Sequence, residues 1–195
     1  MNLAIIKYNA GNIQSVLNAL DRLGYNAIVT DDRDKILQAD KVIFPGVGEA
    51  SSAMKSLKDA GLDALIKELK QPVLGICVGM QLLCQHSEEK DTECLGIVPV
   101  KVKKFQALKG MKVPQVGWND IYNLKTGLFN SVPDHSFIYN VHSYYAEDSA
   151  YTIASCDYGI TYAAAIQKHN FYGVQFHTEK SAITGDKIIQ NFLNL

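Results

Sequence analysis

The stretch Val73-Leu74-Gly75-Ile76-Cys77-Val78-Gly79-Met80-Gln81 passes from a continuous apolar run, which fits a strand buried on both faces, into a helix predicted from Met80 to Cys84, with a glycine on each side of the joint. Neighbouring segments repeat this joint. Leu3 to Ile6, Ala27 to Thr30 and Lys41 to Phe44 read as further apolar strands. Between them, Ile13, Val16, Leu17, Leu20 and Leu23 recur at helical spacing up to a capping Gly24, and Leu62, Leu65, Ile66 and Leu69 share one face of a helix that stops before Pro72. Apolar strands alternating with helices predict a parallel sheet whose right-handed crossovers cover both faces. After Gly96 the pattern becomes strand-rich: Val98 to Phe105, Val113 to Gly117, Phe137 to Val141, Thr152 to Cys156, Ala163 to Ile166 and Phe171 to Phe176. His169-Asn170 reads as the tight turn of a hairpin, and Ile188, Ile189, Phe192 and Leu193 mark a closing helix. With no repeat, linker or low-complexity tract, residues 1–195 are expected to form one α/β domain, a three-layer sandwich around a mixed, mostly parallel sheet.

Composition narrows the function. The 195 residues are 47% hydrophobic and 20% charged, which excludes disordered, collagen-like and coiled-coil classes. The net charge of −1 supplies no field for a polyanion, so neither nucleic acid nor an anionic membrane is an expected partner. Only Arg22 and Arg33 carry guanidinium groups, too few to expect a phosphate-rich substrate to be gripped here. The N-terminus lacks a secretory pattern, and the uncharged stretch Gln71 to Ser87 is too polar and too broken for a membrane helix. Cys77, Cys84, Cys94 and Cys156 form no C-x-x-C pair, which fits a cytoplasmic protein with reduced thiols. His86, His135 and His169 have no partner at metal-ligand spacing, so no metal or cofactor is expected.

Three elements carry chemistry. Gly75-Ile76-Cys77-Val78-Gly79 has the form of a nucleophile elbow with cysteine in the serine's place. The flanking glycines leave room for the strand and helix to cross, and a helix N-terminus favours the attacking thiolate. The same five residues equally fit a buried structural cysteine. In Gln175-Phe176-His177-Thr178-Glu179, His177 can exchange a proton near neutral pH and Glu179 can fix its tautomer. Taken alone, that pair also fits a surface salt bridge. Pro45-Gly46-Val47-Gly48 follows the third strand. With the backbone N–H of Val78, the peptides of Val47 and Gly48 could form an oxyanion hole, while a turn needing glycine for positive φ explains the loop equally well.

Together these motifs resemble the triad-type (class I) glutamine amidotransferases, a flavodoxin-like family, and within it the glutaminase subunits of imidazole glycerol phosphate synthase. Tyr8-x-x-Gly11-Asn12, Pro114-x-x-Gly117-Trp118-Asn119 and Val141-His142-Ser143-Tyr144 add to the resemblance, which spans essentially the whole chain. It implies that Cys77 attacks the side-chain amide of L-glutamine, that His177 protonates the departing ammonia and then activates water, and that Glu179 orients His177. It also implies that Gly46, Gln81 and the His142-Ser143-Tyr144 segment hold the substrate's amino and carboxylate groups. Asn12, Trp118 and Lys180 would face a (β/α)8 barrel cyclase subunit that receives the ammonia in histidine biosynthesis, in a heterodimer. Two departures stand out: Thr178 and Ala10 occupy positions where the family commonly has proline. The first loses a φ restraint but keeps both catalytic side chains, and the second bears only on the shape of its loop. A paralogue feeding ammonia to another acceptor, such as a sugar nucleotide, keeps the same chemistry. A cysteine hydrolase or stress protein on a similar sheet would have no use for Gln81 or His142-Ser143-Tyr144.

Overall fold

The computed structural model describes residues 1–9 and 12–195. Its first half runs β1 (Leu3–Ile6), α1 (Ile13–Arg22), β2 (Ala27–Thr30), α2 (Arg33–Leu37), β3 (Lys41–Gly46), α3 (Ala50–Asp59), α4 (Leu62–Glu68), β4 (Val73–Cys77) and α5 (Val78–Leu83). The second half runs β5 (His86–Ser87), β6 (Thr92–Glu93), β7 (Lys101–Lys104), β8 (Gln115–Ile121), β9 (Ser136–His142), β10 (Tyr144–Ala146), β11 (Thr152–Asp157), β12 (Thr161–Lys168), β13 (Phe171–Val174) and α6 (Ala182–Leu193). Short 3-10 turns occupy Gly127–Phe129 and Thr178–Lys180.

Five strands, in the order β2, β1, β3, β4 and β13, pair in parallel and form the centre of the main sheet. Every residue of β1, β3 and β4 is buried, so both faces of the sheet are covered. Each fully buried leucine or isoleucine in such a layer contributes about 2 kcal/mol relative to exposure. On one side α1 and α6 are joined through the Arg22–Asp186 pair at 2.8 Å, and elsewhere α3 packs on α4 and α5. Beyond β13 the sheet continues through antiparallel β12 and β10 to β7, β5 and β6. The mixed, mostly parallel sheet expected from the sequence is therefore present.

Several boundaries differ from the sequence reading. The run Val98 to Phe105 is a strand only over Lys101–Lys104, because the Val98 and Val100 N–H groups bond to Leu83 and Val98 carbonyls instead of a ladder partner. The expected strand Phe171 to Phe176 ends at Val174, where the backbone leaves β4 to bring Gln175 and His177 inward. Val113 to Gly117 is displaced to Gln115–Ile121, which pairs with β9 alone in a separate two-stranded sheet. The helices α2 and α3 are additional elements. His169-Asn170 does close a two-residue hairpin, with Lys168 opposite Phe171 and His169 at φ 54°.

Candidate active site

The carboxyl ends of β3, β4 and β13 meet around one cavity of about 290 Å³. Cys77, the last residue of β4, sits at φ 54° and ψ −112°, backbone space that a side chain occupies only under strain. The α5 helix starts immediately after it. The glycines of the elbow are required by contact. A Cβ on Gly75 would lie 2.9 Å from the Gly79 carbonyl carbon and oxygen, and one on Gly79 would lie 1.9 Å from the Phe44 carbonyl oxygen. Only hydrogen on both α-carbons lets β4, α5 and β3 approach this closely. Gly46 stands opposite Cys77 in the parallel ladder, and its own Cβ would fall 2.6 Å from the Gly79 nitrogen. The buried Tyr8 hydroxyl donates to the Pro45 carbonyl at 2.8 Å and braces the end of β3, where the glycine loop departs.

Beside Cys77 stands His177. Its Nδ1–H donates to Glu179 Oε1 at 2.7 Å, with both side chains almost wholly buried. Burial by itself pushes the imidazole pKa down. The hydrogen bonds and electrostatic attraction of Cys77 and Glu179 more than reverse this and raise it to about 10. The site thus favours the imidazolium, with Nδ1 committed to Glu179 and Nε2 left for the sulfur and for substrate. The segment is fastened to β9: His177 N–H donates to the Tyr139 carbonyl at 2.9 Å, and Ser181 Oγ accepts from Tyr139 N–H at 2.9 Å while donating to the His177 carbonyl at 2.6 Å. Thr178 is completely buried, and its hydroxyl has no hydrogen-bond partner among the described residues.

The cavity is lined by Val47, Gly48, Cys77, Val78, Gln81 and His177, and on its other wall by Val141, His142, Ser143 and Tyr144. The structure thus brings together most of the residues expected from the sequence; Gly46 lies just behind the lining. Gly48 has φ 92°, as a turning loop needs. Gln81 donates both amide hydrogens inward, to the Tyr144 carbonyl at 3.0 Å and to Gln175 Oε1 at 2.9 Å, which leaves its own carbonyl as the group available to a ligand. His142 does not present a charge: burial pushes its pKa down to about 4, and its ring bonds to the Tyr144 carbonyl at 2.8 Å. Its side chain supports the wall, so what this segment offers a ligand is backbone.

Glu89 also lines the cavity and is a residue the sequence reading missed. Its Oε2 accepts from the Ala50 N–H at 2.7 Å, and burial raises its pKa. Nothing in the charged run Glu88-Glu89-Lys90-Asp91 singles it out, because only the fold turns this carboxylate toward the cavity.

The expected interface residues lie at the same end of the molecule. Trp118, 54% exposed, packs edge-on against Tyr139 across the β8–β9 pair, with the exposed Val116 and Phe137 on the same strands. Tyr139 leads through Ser181 to the exposed Lys180, and α1, which Asn12 precedes, packs against the Thr178–Lys180 turn. Gly11, of the motif beginning at Tyr8, and Ala10 lie outside the described residues. Among the described residues there is no cluster of ligands able to hold a metal, and no helix is long and apolar enough to cross a membrane.

A cysteine on a strand-to-helix elbow, a histidine beside it and a carboxylate behind the histidine define the class of cysteine-nucleophile, triad-type acyl-transfer enzymes. The chain belongs to the class-I glutamine amidotransferase family, whose model matches residues 4–195. It is 55% identical over 196 residues to the imidazole glycerol phosphate synthase subunit HisH of Bacteroides fragilis, and both chains are covered completely. The subunit of the same name from Bacteroides thetaiotaomicron is 52% identical, again over the whole of both chains, and that of Shewanella sediminis is 48% identical over 98% of this chain and 89% of its own. Among solved structures, a glutamine amidotransferase covers 100% of this chain and 98% of its own with a TM-score of 0.77 at 15% identity. Another from Thermotoga maritima covers 100% of this chain and 83% of its own with a TM-score of 0.64 at 15% identity. These two share the fold.

Proposed function

We propose that the protein is the glutaminase subunit of an imidazole glycerol phosphate synthase, and that it hydrolyses L-glutamine to glutamate and ammonia for use by a (β/α)8 cyclase subunit. The observation that carries this reading is the placement of His177, tied to Glu179 at 2.7 Å, beside a Cys77 held in a left-handed elbow on the cavity floor.

The protonated imidazole favours the anionic form of the neighbouring sulfur, which attacks the side-chain carbonyl carbon of glutamine. The oxyanion that develops is met by the Val78 N–H and by a peptide of the Val47-Gly48 loop. His177 Nε2 gives its proton to the amide nitrogen as the C–N bond breaks, and ammonia leaves a γ-glutamyl thioester on Cys77. The now neutral imidazole takes a proton from water, the hydroxyl adds to the thioester carbonyl, and the C–S bond breaks to release glutamate and regenerate the sulfur anion. Glu179 keeps the ring in register through its bond to Nδ1. The substrate's α-ammonium is received by the Glu89 carboxylate and the Gln81 carbonyl. Its α-carboxylate is received by backbone groups of the 143–144 segment, since the lining includes no lysine or arginine.

Ammonia must reach the acceptor without loss to water, so the partner covers the cavity. The exposed Val116, Trp118 and Phe137, with Lys180 and Asn12 beside them, are suited to that contact. Regulation by the partner would act through the Val47-Gly48 peptides, which supply an oxyanion donor only in one orientation. The reading places the enzyme in the cytoplasm, where its four free cysteines stay reduced. The test is glutamate release with and without the cyclase subunit, together with labelling by a glutamine-mimicking electrophile. Modification of Cys77 alone and release that rises on adding the cyclase support the reading. Absence of glutaminase activity in the complex sinks it.

A further inference from the structure

Gln175 is completely buried, and none of the chemistry above uses it. It lies between β13 and the catalytic histidine, where the chain leaves the sheet after Val174. Its backbone is fixed by a hydrogen bond from its N–H to the Ala164 carbonyl at 2.8 Å. Its side chain is fixed at the other end, where Oε1 accepts from Gln81 Nε2 at 2.9 Å, and that same Gln81 amide is held by the Tyr144 carbonyl. With the acceptor end held by Gln81, the amide nitrogen turns toward the elbow: Nε2 donates one hydrogen to Cys77 Sγ at 3.8 Å, within the longer range of hydrogen bonds to sulfur. On another side of the sulfur, the Val141 carbonyl stands 3.9 Å away and can accept the proton of a neutral thiol.

We infer that Gln175 is a positioning residue for the nucleophile: its clamped carboxamide donates a hydrogen bond to the Cys77 sulfur, favours the anion over the thiol, and aims it into the cavity. The preference follows from acceptor strength. An anionic sulfur accepts an N–H far better than a neutral one, whereas the Val141 carbonyl can bond only to the protonated form. Because the clamp passes through Gln81, whose carbonyl faces the substrate, the nucleophile and the substrate's amino acid group share one buried hydrogen-bonded frame. The bond weakens when the sulfur becomes a neutral thioester and strengthens again as it departs, so it assists both steps.

This inference rests on Cys77 as the nucleophile, and the experiment separates the two. Titratable groups facing the sulfur are His177, with Glu179 and His142 behind it, and Tyr8, whose ionisation is pushed far up by burial and by the sulfur's own charge. Substituting Gln175 replaces none of these residues. The rate of Cys77 alkylation by iodoacetamide is measured against pH for the full-length protein and for Gln175→Met and Gln175→Glu, with the site mapped by mass spectrometry. Gln175→Met removes the donor at similar volume. Gln175→Glu keeps an acceptor for Gln81 but sets a carboxylate against the sulfur. The profile is expected to move to higher pH by about one unit in Met, read as a roughly tenfold slower reaction on its acid limb, and further in Glu. The rate constant for glutamine turnover falls in the same order, with KM changed by no more than about twofold in Gln175→Glu, which keeps the acceptor for Gln81, and raised further in Gln175→Met, which does not. Profiles of both folded variants that superimpose on the parent overturn the inference, as does a Glu profile unshifted where Met alone fails to fold. Failure of the glutamine-mimicking electrophile to modify Cys77 in the unaltered protein would instead remove the reading beneath it.

Discussion

A Cβ on Gly79 would stand 1.9 Å from the carbonyl oxygen of Phe44, so the first turn of α5 and strand β3 touch backbone to backbone behind Cys77. Neither side of that contact is a side chain that can rotate away. Gly79→Ala is therefore expected to cost about 3 kcal/mol or more, since strand and helix must separate. Gly48→Ala meets nothing within 4 Å and carries only the strain of φ 92°, about 1–2 kcal/mol. Urea unfolding of the two variants distinguishes them; equal losses would show that the elbow tolerates separation of its elements.

The parallel core was legible because strands buried on both faces must be apolar at every position, as in Leu3–Ile6 and Val73–Cys77. The grouping of Cys77, His177 and Glu179 was legible because they lie in short patterns whose residue types the proposed chemistry calls for. Other features were hidden for identifiable reasons. Ala50, Ala53, Met54 and Leu57 do form a buried helical face, but small residues and serines give it little contrast in the sequence. The separate β8–β9 pair could not be told from a sheet continuation, because strand order is set by packing and not by local pattern. Glu89 and Gln175 acquire their positions only from tertiary contacts: Glu89 stands in a charged run with nothing local to single it out, and Gln175 is a polar residue between Val174 and Phe176 whose partners lie far away in sequence.

The His177–Glu179 contact predicts a pH signature. A histidine raised to about 10 in the fold against 6.5 ordinarily contributes stability that is complete below about pH 6.5 and disappears as pH climbs through about 10. Cys77 makes the larger contribution to that upward pull, and Glu179→Gln removes the share that Glu179 supplies. The stability difference between parent and variant should therefore be greatest near pH 6, at about 2 kcal/mol, and shrink by pH 10.5. Turnover of glutamine should fall on the order of a hundredfold as the ring loses its orientation. A stability difference that grows with pH would contradict the assignment of this bond.

Trp118 is 54% exposed, and its ring packs edge-on against Tyr139 at a centroid distance of 5.8 Å. Trp118→Ala should change the stability of the isolated chain by less than about 1 kcal/mol. Binding to the cyclase subunit, measured by calorimetric titration, should weaken about 30-fold, the consequence of losing a central aromatic anchor worth about 2 kcal/mol. Unchanged affinity would move the interface away from the β8–β9 face.

Glu89 gives the most specific expectation for substrate recognition. Its carboxylate is fixed by the Ala50 N–H at 2.7 Å and partly removed from water, so an α-ammonium placed against it gains a charge-assisted bond that no lysine or arginine of the lining competes for. Glu89→Gln keeps the shape and an acceptor but removes the charge. KM for glutamine should rise at least tenfold, while the rate constant at saturation changes little, because the interaction is made equally in the ground and transition states. Burial raises the Glu89 pKa, so in the parent enzyme KM should increase on acidification at a higher pH than an exposed glutamate would allow. The variant should lose that dependence. If Glu89→Gln lowers the saturated rate and leaves KM alone, the carboxylate acts on the chemical step and the ammonium must be bound elsewhere.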